Sequence, residues 1–275
     1  MINVLFAVIG RIVSNSALNI FQKILTGGGT KSSVVNFYTY LGLSILCIFF
    51  IPFFELKISA ELLLNVIVMG CLGALGNYFI IKALSLGELS VLAPINSYKP
   101  IVALAFGFFF LGELPSIASI IGILLIISGT YILHGVCKGN GTAVLYRVLA
   151  LIFSGTEAVF IKKVILLTNI PVSFALWAFS GLIFSAFFLI PFKNSYKISS
   201  VKNLIFLIVS VAAMQYLTNY VFSKMNVSYA LALFQLSTVL SVFLGINIFR
   251  ESNFRRKIIA SLIMIFGAVM IILCG

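Results

Sequence analysis

The sequence predicts an all-α integral membrane protein with ten transmembrane helices, arranged as two inverted five-helix repeats. Hydrophobic residues make up 62% of the 275 residues, and charged residues only 9%. About a quarter of the residues in a globular chain are usually charged, so this composition excludes a soluble domain. The prediction also depends on the length of the apolar segments and on an internal repeat.

Ten apolar segments follow one another with short breaks. Most are close to the roughly 20 residues that a helix needs to cross a bilayer. The segments cover residues 3–25, 34–54, 62–84, 90–111, 116–136, 144–166, 171–192, 201–223, 228–249 and 255–274. The connections between them are too short to form a soluble domain.

An internal repeat divides the chain into two halves. At an offset of 138 residues, residues 67–133 align with residues 205–271 without a gap. The matched pairs include Tyr78 with Tyr216, Gly107 with Gly245, and Glu113 with Glu251. Each half has five helices, an odd number, so the second copy enters the membrane from the opposite side. We therefore predict two repeats, residues 1–136 and residues 144–275.

Each half also carries the same short motif where its fourth helix ends. The motif reads Leu111-Gly112-Glu113 in the first half and Phe249-Arg250-Glu251 in the second. Over almost its whole length, the chain resembles the EamA-like family of the drug/metabolite transporter (DMT) superfamily. The resemblance is carried by this motif and by the helix that follows each glutamate. Arg250 stands where the family has glycine, so the second copy departs further. The resemblance implies a secondary transporter for small organic molecules, often an exporter of amino acids or other metabolites.

The fourth helix carries the first candidate site. Its apolar run is interrupted near the middle by Asn96, Tyr98 and Lys99, with Pro94 and Pro100 on either side. An ionisable group at bilayer depth costs at least roughly 2.5 kcal/mol, so it usually faces a protein interior or a water-filled path. The alternative is a lysine that snorkels to the interface, but Lys99 lies about 15 Å from either helix end.

We predict that Asn96, Tyr98 and Lys99 bind substrate. Proline removes a backbone donor and clashes with the preceding turn, so Pro94 and Pro100 predict a hinge. The ninth helix has Ala232 and Thr238 at the equivalent positions. No proline interrupts that helix, and flexibility is therefore expected to differ between the two halves.

Glu157, in the sixth helix, is the second charge predicted at bilayer depth. Its repeat mate is Ala17, so the carboxylate is not part of a scaffold shared by both halves. Two interpretations stay open. Glu157 is either a structural partner for Lys162 or Lys99, or a group that binds a proton or a substrate amine.

Amide and phenol side chains on three other helices complete the candidate site. They are Asn15 and Asn19 on the first helix, Asn77 and Tyr78 on the third, and Gln215 and Tyr216 on the eighth. The third-helix and eighth-helix residues are repeat mates, which would place them symmetrically about the central axis. Interhelical hydrogen bonds are the structural alternative for such residues. Glu113 and Glu251, at helix ends, are expected to be capping or topological residues.

These features predict a carrier that moves a small polar or amphipathic metabolite, such as an amino acid, by alternating access. Export is the expected direction. The alternative within transport is efflux of apolar drugs, with Lys99 and Glu157 only neutralising one another. An intramembrane enzyme is disfavoured because the chain has one histidine, no aspartate and no HExxH or GxSxG motif. A channel is disfavoured because rings of like charge are absent.

The sequence predicts no cofactor, no metal site and no nucleic-acid partner. No GxxxxGK[ST] motif occurs, so a gradient or a partner must supply energy, and proton coupling is one alternative.

The net charge of +12 is scattered over short loops, which is typical of membrane topology signals. Eleven basic residues lie on one side and four on the other, which would place both termini outside. The resemblance implies cytoplasmic termini. We expect a multi-pass protein of the plasma (inner) membrane.

Overall fold

Ten α-helices occupy nearly all of the residues that the computed structural model describes, which are 2–48, 58–86, 95–134, 141–187, 197–237 and 254–274. The helices are α1 Ile2–Gly27, α2 Ser32–Ile48, α3 Ala60–Leu86, α4 Lys99–Leu111, α5 Ile117–His134, α6 Gly141–Leu167, α7 Ile170–Phe187, α8 Val201–Phe222, α9 Val227–Phe234 and α10 Phe254–Cys274. Each predicted segment thus contains a helix. The predicted all-α, ten-helix fold is confirmed.

The helices have the length and surface of membrane spans. Five described helices, α1, α3, α6, α7 and α8, are long and apolar enough to cross a membrane. Helices α2, α4, α5 and α10 are shorter and also apolar. Phe6 and Phe109 are both more than two-thirds exposed. Many other large apolar side chains share this exposure, and surface of this kind is stable against hydrocarbon rather than water.

The chain forms two compact units that cut across the sequence repeats. The first unit contains Met1–Ala74 and Phe160–Ser223, and the second contains Leu75–Val159 and Lys224–Gly275. Two of the three boundaries fall inside α3 and α6, and the third follows the end of α8. Each unit therefore combines helices from both halves of the chain.

In the first unit, α1 and α8 pack in antiparallel register. Gly10 leaves room for Leu217, since a Cβ at position 10 would lie 3.0 Å from the leucine Cδ1. Nearer the end of α1 and the start of α8, Phe21 stacks on Phe206 with ring centroids 5.3 Å apart. The two contacts are eleven residues apart on both helices. They fix both the rotation of α1 and its level beside α8.

In the second unit, α5 and α10 cross at small residues. A Cβ on Gly122 would lie 2.6 Å from the carbonyl oxygen of Gly267, and the reverse distance is also 2.6 Å. Gly129 approaches Ala260 in the same way, at 2.9 Å from its carbonyl oxygen. Gly122 and Ala260 are repeat mates, as are Gly129 and Gly267. The two contacts are therefore exchanged by the repeat, as a pseudo-two-fold axis through this crossing requires.

Substituting a crossing glycine should destabilise the protein. In Gly122→Ala the new methyl group meets the α10 backbone, so we expect a loss of about 1–3 kcal/mol, the usual cost of overpacking. The matched control is Gly141→Ala, because a Cβ there meets nothing within 4 Å. Thermal unfolding of the purified protein measures both variants. Equal melting temperatures would contradict the close crossing.

The even helix count predicts that both termini lie on one side of the membrane. Topology reporters fused before Met1 and after Gly275 should therefore report the same compartment. Opposite compartments would rule out ten spans. Termini outside the cell would support the charge count, and termini in the cytoplasm would support the family resemblance.

Candidate functional site

The fourth helix is interrupted beside Lys99. Residues 95–96 are helical, Ser97 and Tyr98 form a turn, and α4 runs on from Lys99. The Tyr98 N–H donates to the Ile95 carbonyl at 3.2 Å. Such i to i−3 bonds are tighter than those of an α-helix and mark a local 3₁₀ turn. The interruption expected near Lys99 is present, although Pro94 lies outside the described residues.

The same turn recurs in α9, which has no proline. Helix α9 ends at Phe234, and Gln235 and Leu236 form a turn. The Leu236 N–H donates to the Leu233 carbonyl at 3.0 Å. These residues stand 138 positions after those of the first turn, so the two interruptions are in repeat register. Proline is therefore not required for the interruption. A hinge at Pro94 and Pro100 remains a prediction.

Lys99 lies against α6, at the level where that helix has a glycine. A Cβ on Gly155 would lie 2.8 Å from Val102 Cγ1 and 3.6 Å from the Lys99 carbonyl oxygen. The glycine thus allows α4 to approach α6 closely. Glu157 follows two residues later, and the side chains of Lys99 and Glu157 are both half-buried. Both charges lie in the second unit, but Glu157 stands about 200° round α6 from Gly155, so this contact does not turn its carboxylate towards Lys99.

An aromatic contact extends this region to α5. Tyr98 packs edge-on against Tyr131, with ring centroids 5.8 Å apart and an interplanar angle of 70°. Asn96 and Tyr98 are half-buried, and Ser97 is fully buried. Tyr131 was not predicted as a site residue. Its signal in the sequence is a phenol in a helix that is mostly apolar.

Helix α3 supplies the remaining predicted residues of the second unit. A Cβ on Gly76 would lie 3.3 Å from Ser154 of α6, so α3 and α6 also pack closely. Phe79 stacks on Phe153 of α6 with ring centroids 5.5 Å apart. Asn77 is half-buried and Tyr78 is exposed. The amide and the phenol thus stand on a helix whose rotation is set by its neighbours.

In the first unit, Gln215 and Tyr216 lie on different faces of α8. Gln215 is buried, and its Nε2 donates to Asn219 Oδ1 at 2.9 Å. Tyr216 is 42% exposed. This bond runs within α8 and is not the interhelical bond of the structural alternative, so Gln215 stays a predicted site residue. Asn77, its repeat mate, is half-buried, so the two amides have different surroundings.

Helix α1 carries two predicted residues, Asn15 and Asn19, and one that the prediction omitted, Arg11. Asn15 is half-buried, and so is Arg11, one turn earlier on the same face. The side chain of Asn19 lies outside the described residues. Arg11 stands about 13 Å from the start of α1 at 1.5 Å per residue. An ionisable residue so far from a helix end is a candidate site residue, and the sequence alone could have identified it.

Glu113 caps the ninth helix. Gly112 adopts a left-handed conformation with φ of 65°, which turns the chain back at the end of α4. The Val227 N–H, at the start of α9, donates to Glu113 Oε2 at 3.0 Å. A carboxylate there satisfies a free N–H and interacts favourably with the helix dipole. The capping role predicted for Glu113 is confirmed, whereas Glu251 lies outside the described residues.

Within the described ranges, no group of three or more histidine, cysteine or acidic side chains could hold a metal ion. The predicted site residues of the second unit instead supply a lysine, a carboxylate, two amides and two phenols. Such a set can bind a small polar molecule by charge and hydrogen bonds.

Comparisons with known proteins agree with this architecture. The EamA-like transporter family matches residues 2–134 and again residues 141–273. The crystal structure of another protein has the same fold, with a TM-score of 0.75 over 97% of this chain and 99% of that chain, at 17% identity. No functionally curated protein gives a significant match. Because one family match falls on each half and together they cover nearly the whole chain, this protein belongs to the EamA-like transporter family.

Proposed function

We propose that this membrane transporter is a secondary carrier that exports a small polar or amphipathic metabolite, such as an amino acid, across the plasma (inner) membrane. The observation that supports the proposal best is the pair of helix interruptions in α4 and α9. Carriers built from inverted repeats bind their substrates at discontinuous helices near the midplane.

The two interruptions differ in chemistry, which favours an asymmetric solute. Lys99 follows the first turn, and its repeat mate Ser237 follows the second. Ser237 and Gln235 are both half-buried. We assign to Lys99 the binding of a carboxylate or phosphate of the solute. Only one end of the solute would then need to be anionic.

Glu157 would bind either a proton or an amine of the solute. Glu157 and Lys99 both belong to the second unit, and a zwitterion that bound both would place its amine at Glu157 and its acidic group at Lys99. Asn96, Tyr98, Asn77 and Tyr78 would orient the solute by hydrogen bonds. Asn15, Asn19, Gln215 and Tyr216 remain predicted contributors from the first unit.

Alternating access would use the two interruptions as bending points. The 3₁₀ turns keep their backbone donors paired, so bending there exposes few unsatisfied groups to hydrocarbon. Glu113 holds the start of α9 and would keep that end fixed while the interruption bends. The energy for net transport would come from a gradient, with proton coupling through Glu157 as one route.

Paired substitutions of Lys99 and Glu157 test this function against the structural alternative. Lys99→Met should reduce solute affinity by about 10- to 100-fold, since hydrogen bonds to charged groups contribute roughly 1.5–3 kcal/mol. Melting temperature without solute should stay close to that of the parent. Lys31→Met, which removes an exposed lysine beside α2, is the matched control and should bind normally.

The double variant Lys99→Met with Glu157→Gln decides between the two interpretations. If the residues are only a structural pair, each single variant loses roughly 3–5 kcal/mol of stability and the double variant recovers. If they bind solute, the double variant folds but does not transport. Parental uptake by the double variant in liposomes would show that neither charge contacts the solute.

Thermal-shift screening against a metabolite library is the experiment that identifies the solute. A ligand that binds only the folded protein raises the melting temperature with the logarithm of its concentration. The true solute should also stimulate its own exchange in liposomes, saturably. Saturable exchange separates a carrier from a channel or an enzyme.

A further inference from the structure

Glu113 joins α4 to α9, with its backbone bonded to one helix and its side chain to the other. Its N–H donates to the Gly107 carbonyl at 3.2 Å, next to the left-handed Gly112, so its backbone belongs to the C-terminal end of α4. Its carboxylate accepts from the Val227 N–H, at 3.0 Å to Oε2 and 3.3 Å to Oε1. One residue is thus bonded to the last turn of α4 and to the first turn of α9.

A glycine in α4 leaves space for this carboxylate. A Cβ on Gly107 would lie only 3.0 Å from Glu113 Oε2, so a larger residue there would press against the carboxylate. Gly107 shares a buried face of α4 with Pro100 and Ala103, whereas Phe109 is 77% exposed on another face. The carboxylate therefore lies against the buried face of α4, where it meets the start of α9.

A second set of bonds connects α9 to α5 and α10. The Ser116 N–H, just before α5, donates to the phenol oxygen of Tyr229 at 2.9 Å. The Ser116 hydroxyl donates to the carbonyl of Cys274, the last residue of α10, at 2.8 Å. Tyr229 is 3% exposed, so its oxygen satisfies an N–H inside the protein. Glu113, Ser116, Tyr229 and Cys274 thus form a helix junction, where the ends of α4 and α10 meet the starts of α5 and α9.

The two helix interruptions lie at the opposite ends of the segments that the helix junction joins. Helix α4 runs from the first interruption, at Tyr98, to the helix junction, and α9 runs from the helix junction to the second interruption, at Gln235 and Leu236. The two segments pack against each other. All eight residues of α9 are buried. Neither segment can tilt at its interruption without moving the helix junction or the segment packed on it.

We propose that Glu113 and Tyr229 are positioning residues that make α4 and α9 tilt as one body, so that the two interruptions bend together. This inference rests on the proposed transport function and adds the coupling between its two bending points. Bending of one helix alone would break the bonds at the helix junction and leave buried donors without acceptors, which is costly. Packed helices therefore switch between discrete arrangements rather than deform one by one.

Hydrogen exchange of the purified full chain, without any solute, tests the coupling. Tyr98→Gly weakens the first interruption and should raise amide exchange there at least about threefold, because glycine adds conformational freedom. Since the interruptions are coupled, exchange of the Gln235 and Leu236 amides should rise by a similar factor. These two N–H groups donate to the Ala232 and Leu233 carbonyls at 3.0 Å, so they report on the second turn directly.

The same substitution in a background without the two bonds shows whether the helix junction carries the effect. In Glu113→Ala with Tyr229→Phe, Tyr98→Gly should loosen the first interruption and leave exchange at the second unchanged. Glu113→Gln keeps an acceptor oxygen for the Val227 N–H, so it should retain most of the effect on the second interruption. A merely stabilising role of Glu113 would lower the melting temperature and leave this effect intact.

Thr30→Val is the matched control, because it also removes a buried hydrogen bond that holds a helix connection. The Thr30 hydroxyl donates to Ser199 Oγ at 3.0 Å and accepts from the Ser199 N–H at 2.9 Å, in the first unit. In this background Tyr98→Gly should still raise exchange at the second interruption. Tyr229→Phe alone keeps the buried ring and should weaken the effect, so it decides the case if the double background fails to fold.

Two results would overturn the proposal. One is an unchanged second interruption when Tyr98→Gly loosens the first in the parent protein. The other is an undiminished effect in the background without the two bonds. Solute exchange in liposomes is measured separately. If the parent protein transports and its interruptions are not coupled, the proposed function stands and this inference alone fails. If the interruptions are coupled and no solute is exchanged, the proposed function fails instead.

Discussion

Every backbone N–H and C=O at bilayer depth must find its partner inside the protein, and most features of this fold follow from that constraint. In hydrocarbon each unsatisfied group costs several kcal/mol, so the chain crosses as helices. Where α4 and α9 depart from the helix, 3₁₀ bonds such as Tyr98 to Ile95 still pair the donors. Where α9 begins, a carboxylate from Glu113 accepts from Val227. At these described departures from the helix, another bond replaces the helical one.

The two halves share a scaffold and differ in their chemistry. At the α5–α10 crossing, Gly122 meets Gly267 and Gly129 meets Ala260, contacts that the repeat exchanges. Alanine in place of glycine at position 260 is tolerated because its methyl is the smallest side chain that the crossing can admit. The charged residues at depth have no charged counterparts. Lys99 corresponds to Ser237, Glu157 to Ala17, and Arg11 to Leu151. The charges predicted at depth are thus specific to one half each, whereas the predicted site residues Tyr78 and Tyr216 are repeat mates.

Rotation of each helix about its own axis decides which polar residue can meet a solute. Gln215 and Tyr216 are neighbours in sequence, yet one is bonded to Asn219 in the packing and the other borders an apolar cavity. On α1, Gly10 against Leu217 fixes a rotation that turns Arg11 away from the lipid-exposed face. A glycine at a helix contact therefore has an effect on the site even though it carries no functional group.

Composition, segment length and the 138-residue offset by themselves determined the fold class, the helix number and the inverted repeat. They suffice because a helix in hydrocarbon satisfies its own backbone, so local sequence alone specifies it. The depth of Lys99 and Glu157 could be inferred on the same basis. Only the tertiary structure showed that α9 breaks without proline, that Tyr131 meets Tyr98, and that Glu113 caps a helix 114 residues away. These features depend on which helices pack together and at what rotation, and long-range packing leaves no periodic signal in a chain whose helices are apolar on nearly every face.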